Sequence, residues 1–313
     1  MNKKRKKVIL GLMGLYCLGS SSQVDAAPVT TAAELAATGG VVTVDTTSAM
    51  VGEAAMGIWN TGASGDFIYT ASDVQINIVG YDLLQVPNLE RTGIRSTGSD
   101  LTLGKTTLIW RNDSTNTASN FNIYGIKTYN SSTVTLGDES WIDIEGNTSD
   151  RLIGVYAGNN AATGPGSVVL GNETSVLVKN NGDGIAYGIQ SVDGATTTVG
   201  DDLYVKASNG TGGARGLEVG LNQASLAIGS DATVVVDTTG RAQGLFAYDG
   251  VFTAQENLNV FVNSTAAGDQ QSLGLSAQTN AEVYLNGATV VASQNGVAGV
   301  GHSIIASSGA TIQ

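Results

Sequence analysis

The sequence predicts an all-β protein: a right-handed, single-stranded parallel β-helix with three short strands per coil and a helical cap at its N-terminal end. Three observations lead there. Residues 188–242 read as two consecutive copies of one pattern about 28 residues long, GIQSVDGATTTVGDDLYVKASNGTGGAR and then GLEVGLNQASLAIGSDATVVVDTTGRA. A fixed period of that size marks a repeat architecture. Within each copy, aliphatic residues alternate with polar ones in short runs, so that one face of each run is apolar. The composition agrees, with 42 Gly, 3 Pro and 13% charged residues, as expected of many short strands joined by tight turns. Regularly spaced Val, Ile and Leu argue against disorder in so Gly-rich a chain.

The N-terminus reads as a secretory signal over residues 1–26. Asn2 to Lys7 is a basic region, Val8 to Leu18 an apolar run too short to span a bilayer, and Val24-Asp25-Ala26 a small-residue cleavage site. Cys17 is the only cysteine and follows the bulky Tyr16, a poor lipid-attachment context. A chain starting at Ala27 therefore has neither a disulfide nor a thiolate metal site. Removal of residues 1–26 takes five basic residues and Asp25 from 15 Lys+Arg and 27 Asp+Glu, leaving 10 against 26 and a net charge of −16. Such acidity gives no sequence-wide case for nucleic-acid binding and helps keep an exported chain soluble.

Residues 27–56 form the cap and first strand. Thr30 to Thr38 is helical, with Thr31 as N-cap and Glu34 three residues on; Gly39-Gly40 ends it, and Val41 to Val44 starts the first strand. Residues 57–313 carry the repeats. Units open at Gly57, Gly93, Gly125, Gly154, Gly188, Gly216, Gly244 and Gly274, with an incomplete unit near Ser303 and spacings of 28 to 36 residues. The longer spacings come from insertions after the third strand, for example Asn112 to Asn120 and Asn180 to Gly184. A solenoid tolerates insertions in such loops.

Aligned units give three inward columns. The first is Ile94, Ile126, Val155, Ile189, Leu217, Leu245 and Leu275. The second is Leu101/Leu103, Val134/Leu136, Val168/Leu170, Leu226/Ile228 and Val283/Leu285. The third is Ile142/Ile144, Val176/Val178, Leu203/Val205, Val234/Val236 and Val260/Val262. Such a three-sided coil cannot bury itself alone, but stacked coils bury a continuous aliphatic column. The crossover rule supplies the right hand. A leucine-rich repeat would carry regular Leu and Asn positions, and a propeller four strands per 40–50 residues; neither pattern is present.

With the signal segment, the cap AAELAATGGVVTV and units such as GIKTYNSSTVTLGDESWIDI on the page, the chain resembles the N-terminal part of an autotransporter passenger domain of the pertactin/AIDA type. The resemblance spans residues 30–313. It implies Sec export in a bacterium with an outer membrane and display at the cell surface or release outside it, commonly for adhesion or aggregation. Such proteins end in a translocator barrel of about a dozen aromatic-girdled strands. The chain stops at Gln313 without one, so we expect a fragment of a longer protein, with membrane attachment only through that barrel.

No constellation of residues points to catalysis. Asp201-Asp202, with Asp138-Glu139 and Asp231 at the equivalent turn, would stack into an acidic ridge, yet Asn172, Ser230 and Lys105 share the position of Asp201, as turn chemistry allows. His302 is the only histidine and has no nucleophile elbow to serve. Gly212 to Gly216 lacks the context of a phosphate loop. No cofactor and no metal are expected. The candidate functional feature is an outward apolar stripe on the third strand, Ile109, Leu177, Tyr204, Val235, Phe261 and Val291, interrupted by Asp143. A soluble monomer rarely leaves such a stripe bare. It would suit a host-cell or bacterial surface protein or glycan, or self-association. Two other readings stay open: a polysaccharide-processing β-helix whose catalytic coil lies beyond Gln313, and a passive stalk.

Overall fold

The computed structural model describes residues 28–45, 55–63, 65–79, 91–111, 122–160, 164–265, 272–295 and 301–313. The proposed signal segment and the Asn112 to Asn120 insertion lie outside them. Three nine-stranded parallel sheets run the length of the molecule. Each coil gives one strand to each sheet in turn, and each strand within these sheets pairs with its counterparts in the adjoining coils; Asn159–Asn160 and Gly164–Pro165 form a separate antiparallel pair. The protein is a parallel β-helix with three strands per coil. Eight steps of ~4.8 Å make a rod on the order of 40 Å long.

The first sheet is built from the Gly-led segments, such as Arg151–Ala157, Ile185–Val192 and Ala214–Gly220. The second holds short strands such as Thr133–Leu136 and Ser167–Leu170, and the third strands such as Trp141–Gly146 and Ser175–Asn180. Side chains of like position stack in register. Ile94, Ile126, Val155, Ile189, Leu217, Leu245 and Leu275 form one unbroken inward row, all fully buried. The second column is in place as read, with Leu285 only partly buried at its end. Phe252 and Ala254 continue it between Leu226/Ile228 and Val283/Leu285.

The third column needs one correction. Val176/Val178 pair with Val205/Ala207, not with Leu203/Val205. Leu203 is buried too, one inward position earlier, below Thr174 and above Ala232 in the stack. Leu203, Val205 and Ala207 all face inward, so alternation alone cannot say which two of the three belong in the column.

The glycine that opens each unit has a steric cause. A Cβ on Gly188 would lie 2.3 Å from Val205 Cγ1 and 2.4 Å from the Gly216 carbonyl oxygen. Gly154, Gly216, Gly244 and Gly274 meet a valine of the third sheet and the next unit's carbonyl in the same way. The strand also kinks there. Ile123 and Ile126 both enter the core although three residues apart, while Tyr124 between them belongs to a separate outer cluster. Outward residues of the first sheet therefore fall three apart across the glycine instead of two.

At the N-terminal end, helix Ala32–Ala37 covers the first rung, with Leu35 wholly buried in the core. The expected capping box is present. Thr31 Oγ1 accepts from the Glu34 amide at 3.2 Å, and Glu34 Oε2 accepts from the Thr31 and Thr30 amides at 3.2 and 2.8 Å. The bond from the Thr30 backbone leads the effects that hold Glu34 below its ordinary value of 4.5. The cap's support is therefore complete above that value and fades as pH falls through the lowered one.

This packing makes three stability predictions. Gly188→Ala should lower the unfolding midpoint by about 3 kcal/mol in free energy, since both clashing groups sit in a tightly packed interior. Gly210 has nothing within 4 Å of a Cβ and no left-handed backbone, so Gly210→Ala should be neutral or stabilise by about 0.5 kcal/mol through the unfolded chain. In the second column, Thr197 is 0% exposed and its hydroxyl has no partner. Thr197→Val should therefore raise stability by about 1 kcal/mol. Urea titration monitored by circular dichroism measures all three.

Candidate interaction surfaces

The apolar stripe read from the third sheet is only partly assembled. Strand register places Ile109, Asp143, Leu177, Lys206, Val235, Phe261 and Ala292 in one outward row. Ile109, Leu177, Val235 and Phe261 are therefore brought together as read, Phe261 being 43% exposed. Tyr204 is not among them. It lies one outward row away, beside Ser175 and Thr233, because its strand is shifted by two relative to the sequence alignment. Val291 faces inward, stacked on Val260 and packed against the core. The double valine Val290-Val291 left the parity of that strand ambiguous in the sequence. Asp143 and Lys206 divide the row, and Arg111 Nη2 pairs with Asp143 Oδ2 at 2.5 Å. Val235 and Phe261 are the two large apolar residues of the row on adjacent rungs, with Ala292 next to Phe261.

The acidic turn between the second and third sheets is a hydrogen-bonded ladder. Asp138 Oδ1 accepts from the Asn172 amide at 2.7 Å, Asn172 Oδ1 from the Asp201 amide at 2.9 Å, and Asp201 Oδ1 from the Ser230 amide at 2.7 Å. The preceding glycine leaves room for this: a Cβ on Gly200 would meet Asn172 Oδ1 at 2.3 Å. Lys105 Nζ bonds Glu139 at 2.6 Å. Among the described residues, no group of three or more His, Cys, Asp or Glu is placed to hold a metal ion. His302 lies on the last first-sheet strand, beside Leu273.

The most chemically distinctive surface was not grouped by sequence reading. It is the outer face of the first sheet. One outward row runs Tyr124, Ile153, Tyr187, Arg215, Gln243, and the next runs Lys127, Tyr156, Gln190, Glu218, Phe246. The kink at each glycine brings the two rows into contact. Tyr124 and Tyr156 meet edge to face with centroids 5.3 Å apart, and Arg215 forms an ion pair with Glu218 three residues on. Lys127 Nζ sits 4.2 Å from the Tyr124 ring. Arg151 and Arg215 lie 6.0 and 5.5 Å from the Tyr187 ring, and Arg215 also lies 4.6 Å from Phe246. These are cation–π distances. Further along, Arg95 lies 5.2 Å from both Trp59 and Tyr129 and donates to the Tyr129 hydroxyl. Tyr124, Ile153 and Tyr187 make a buried apolar floor, and burial pushes the Tyr187 and Tyr156 hydroxyls above their usual range.

A row of buried polar residues positions these strands as the chain leaves the third sheet. Asn180, Asn209, Thr238 and Ser264 stack at the corner. Asn209 Nδ2 donates to the Gly184 carbonyl at 2.5 Å, and its Oδ1 accepts from the Thr211 and Gly212 amides at 2.8 and 2.7 Å. The Gly-rich segment from Gly212 is thus a turn folded around Asn209, delivering Arg215 to the outer face. Thr238 and Ser264 donate to Gly212 and Gly240 in the same manner.

Asn209→Ala should cost about 2 kcal/mol or more by stranding a buried carbonyl and two amides. Asp201→Ala, at an exposed turn, should change stability by less than about 1 kcal/mol. Thermal unfolding of both variants checks the contrast. Comparison of the chain with family models, with curated proteins and with solved structures gives no match.

Proposed function

We propose that this chain is an exported β-helical passenger of the autotransporter type, displayed at a cell surface or released from it. It acts there in adhesion or self-association and carries no catalytic centre. The observation that carries this reading is the in-register stacking of outward positions on three sheets along one rod. Such a rod offers many weak contacts in fixed relative positions, and avidity sums them. The basic N-terminal segment with its apolar run, and the cap followed by Gly-led units, support export and the passenger comparison. Val235 and Phe261 on one face, and the aromatic and cationic rows on another, supply contact chemistry.

Register permits a clean test. Leu217 stacks on Leu245 and Val234 on Val260, so deleting residues 216–243 removes one coil and rejoins matching positions. With the chain displayed on cells, clumping or surface adherence should fall with each coil removed. Adherence that is indifferent to coil number would reduce the chain to a spacer and sink the adhesive reading.

A further inference from the structure

We infer that the outer face of the third sheet pairs with the same face of a second copy of this chain, the two rods lying antiparallel about a two-fold axis over Leu177. This inference rests on the adhesive reading above and names the partner of one face. The charges that divide the apolar row carry it. On successive rungs that row reads Ile109, Asp143, Leu177, Lys206, Val235. In either direction from Leu177 come a charge and then a β-branched aliphatic residue, and the two charges are opposite. A two-fold axis along the strand direction at the Leu177 rung reverses the order of rungs and keeps every residue in its row. It sets Asp143 against Lys206 twice, Ile109 against Val235 twice, and Leu177 against its own copy. A two-fold interface has to be complementary to itself, and this row is.

The flanking rows obey the same operation. Toward the start of each strand it sets Trp141 against Tyr204, with Thr107 against Thr233 on the next rungs out. Both rings are half-buried, and aromatic side chains are enriched at interfaces. Toward the end of each strand it sets Arg111 against Asp237. Arg111 already holds Asp143 at 2.5 Å, so pairing links these ions from both copies into one network. Lys206 is exposed and has no ion pair among the described residues; Asp143 of the second copy supplies one. Over these five rungs the single like-charge encounter is Lys179 with its own copy. Lys179 lies in the border row, 56% exposed, and Glu145 holds it at 2.6 Å.

Charge also decides the direction. Parallel rods would set Asp143 on Asp143 and Lys206 on Lys206, and like charges placed face to face are disfavoured. The area is sufficient. The strand that carries Leu177 is the fifth of nine in its sheet, so antiparallel copies overlap along the whole sheet. Strands of about five residues on rungs ~4.8 Å apart give a face of about 40 by 15 Å, on the order of 600 Å² per copy. Two such faces reach the lower end of specific interfaces, about 1,200 Å² in total. Facing sheets pack about 10 Å apart, a gap that a lysine and an aspartate bridge between them. Exposed ion pairs add little affinity and chiefly fix register, so one pair of rods binds weakly. Antiparallel pairing suits rods that stand on two facing surfaces, where many such contacts add up.

The test is sedimentation equilibrium of the chain and its variants, each checked for fold by circular dichroism. The chain should show a reversible monomer–dimer equilibrium that weakens as salt is added. Lys206→Glu brings like charges together at two symmetric contacts and should weaken the dimer by about a hundredfold, and Asp143→Lys should do the same. Mixed in equal amounts, the two variants should pair again, because each supplies the charge that the other lacks. Leu177→Arg leaves the Arg111–Asp143 pair in place and should also abolish the dimer, whereas Arg241→Glu on the first sheet should not affect it. A monomer at every concentration up to about 1 mM, a dimer indifferent to Lys206→Glu and Leu177→Arg, or a folded mixture that stays monomeric would each overturn the proposal. A monomeric chain whose clumping still falls with each coil removed would sink this pairing alone. Clumping indifferent to coil number would sink the adhesive rod, even where the dimer forms.

Discussion

Parallel, in-register pairing places every rung directly over the one before, so a residue's nearest neighbours outside its own strand are its equivalents in adjoining coils. That one constraint orders the molecule. A side chain that satisfies its neighbour satisfies the next copy as well, and a clash would likewise be repeated. Hence the chains of like contacts: Asp138 to Asn172 to Asp201 to Ser230 at one turn, and Asn180, Asn209, Thr238 and Ser264 at another. Hence also the glycine that opens each unit, where a third-sheet aliphatic side chain and the next coil's carbonyl leave no room for a Cβ. Stability in such a stack is close to a sum of rung and interface terms, so a single buried defect such as Thr197 can be carried by its neighbours.

The architecture was legible because its signal is repeated. Period-2 alternation found the inward face of nearly every strand, and Thr31 with Glu34 marked the cap from local chemistry alone. Alternation leaves two things undetermined. It cannot fix a shift of two, so Leu203, Val205 and Ala207 offered two equally apolar alignments, and the wrong one carried Tyr204 into the stripe. It also cannot choose parity where two valines adjoin, as at Val290-Val291. Cross-strand partners resolve both cases, and a single strand's sequence does not contain them.

The first-sheet surface escaped for a different reason. All of its strands but the last bend at a glycine, so Tyr124 and Lys127, or Arg215 and Glu218, share a face although they are three apart. A reader applying a strand period of two assigns one of each pair to the core. Arg151, Tyr187, Arg215 and Phe246 are also spread over almost a hundred residues, and only the stacking of coils brings them within 6.0 Å contacts. The signal that could have been used was charge placement: the few cations cluster at or near unit openings, while the acids are spread through the turns.

A surface assembled in this way is held differently from one built on loops. Its residues project from strands hydrogen-bonded on both sides, and several, such as Arg215 between Tyr187 and Phe246, are already held by rings and an ion pair. Little conformational entropy remains to be lost on binding, which favours affinity per contact. Electrostatics adds selectivity. At physiological ionic strength charges separated by more than about 8 Å are largely screened, so the acidity of the other faces is felt only weakly at the first-sheet surface. The same acidity still disfavours a polyanion approaching from any other side. An acidic rod with one aromatic, cation-bearing edge therefore repeats its surface chemistry parallel to its own axis, because that is the direction in which the fold stacks its coils.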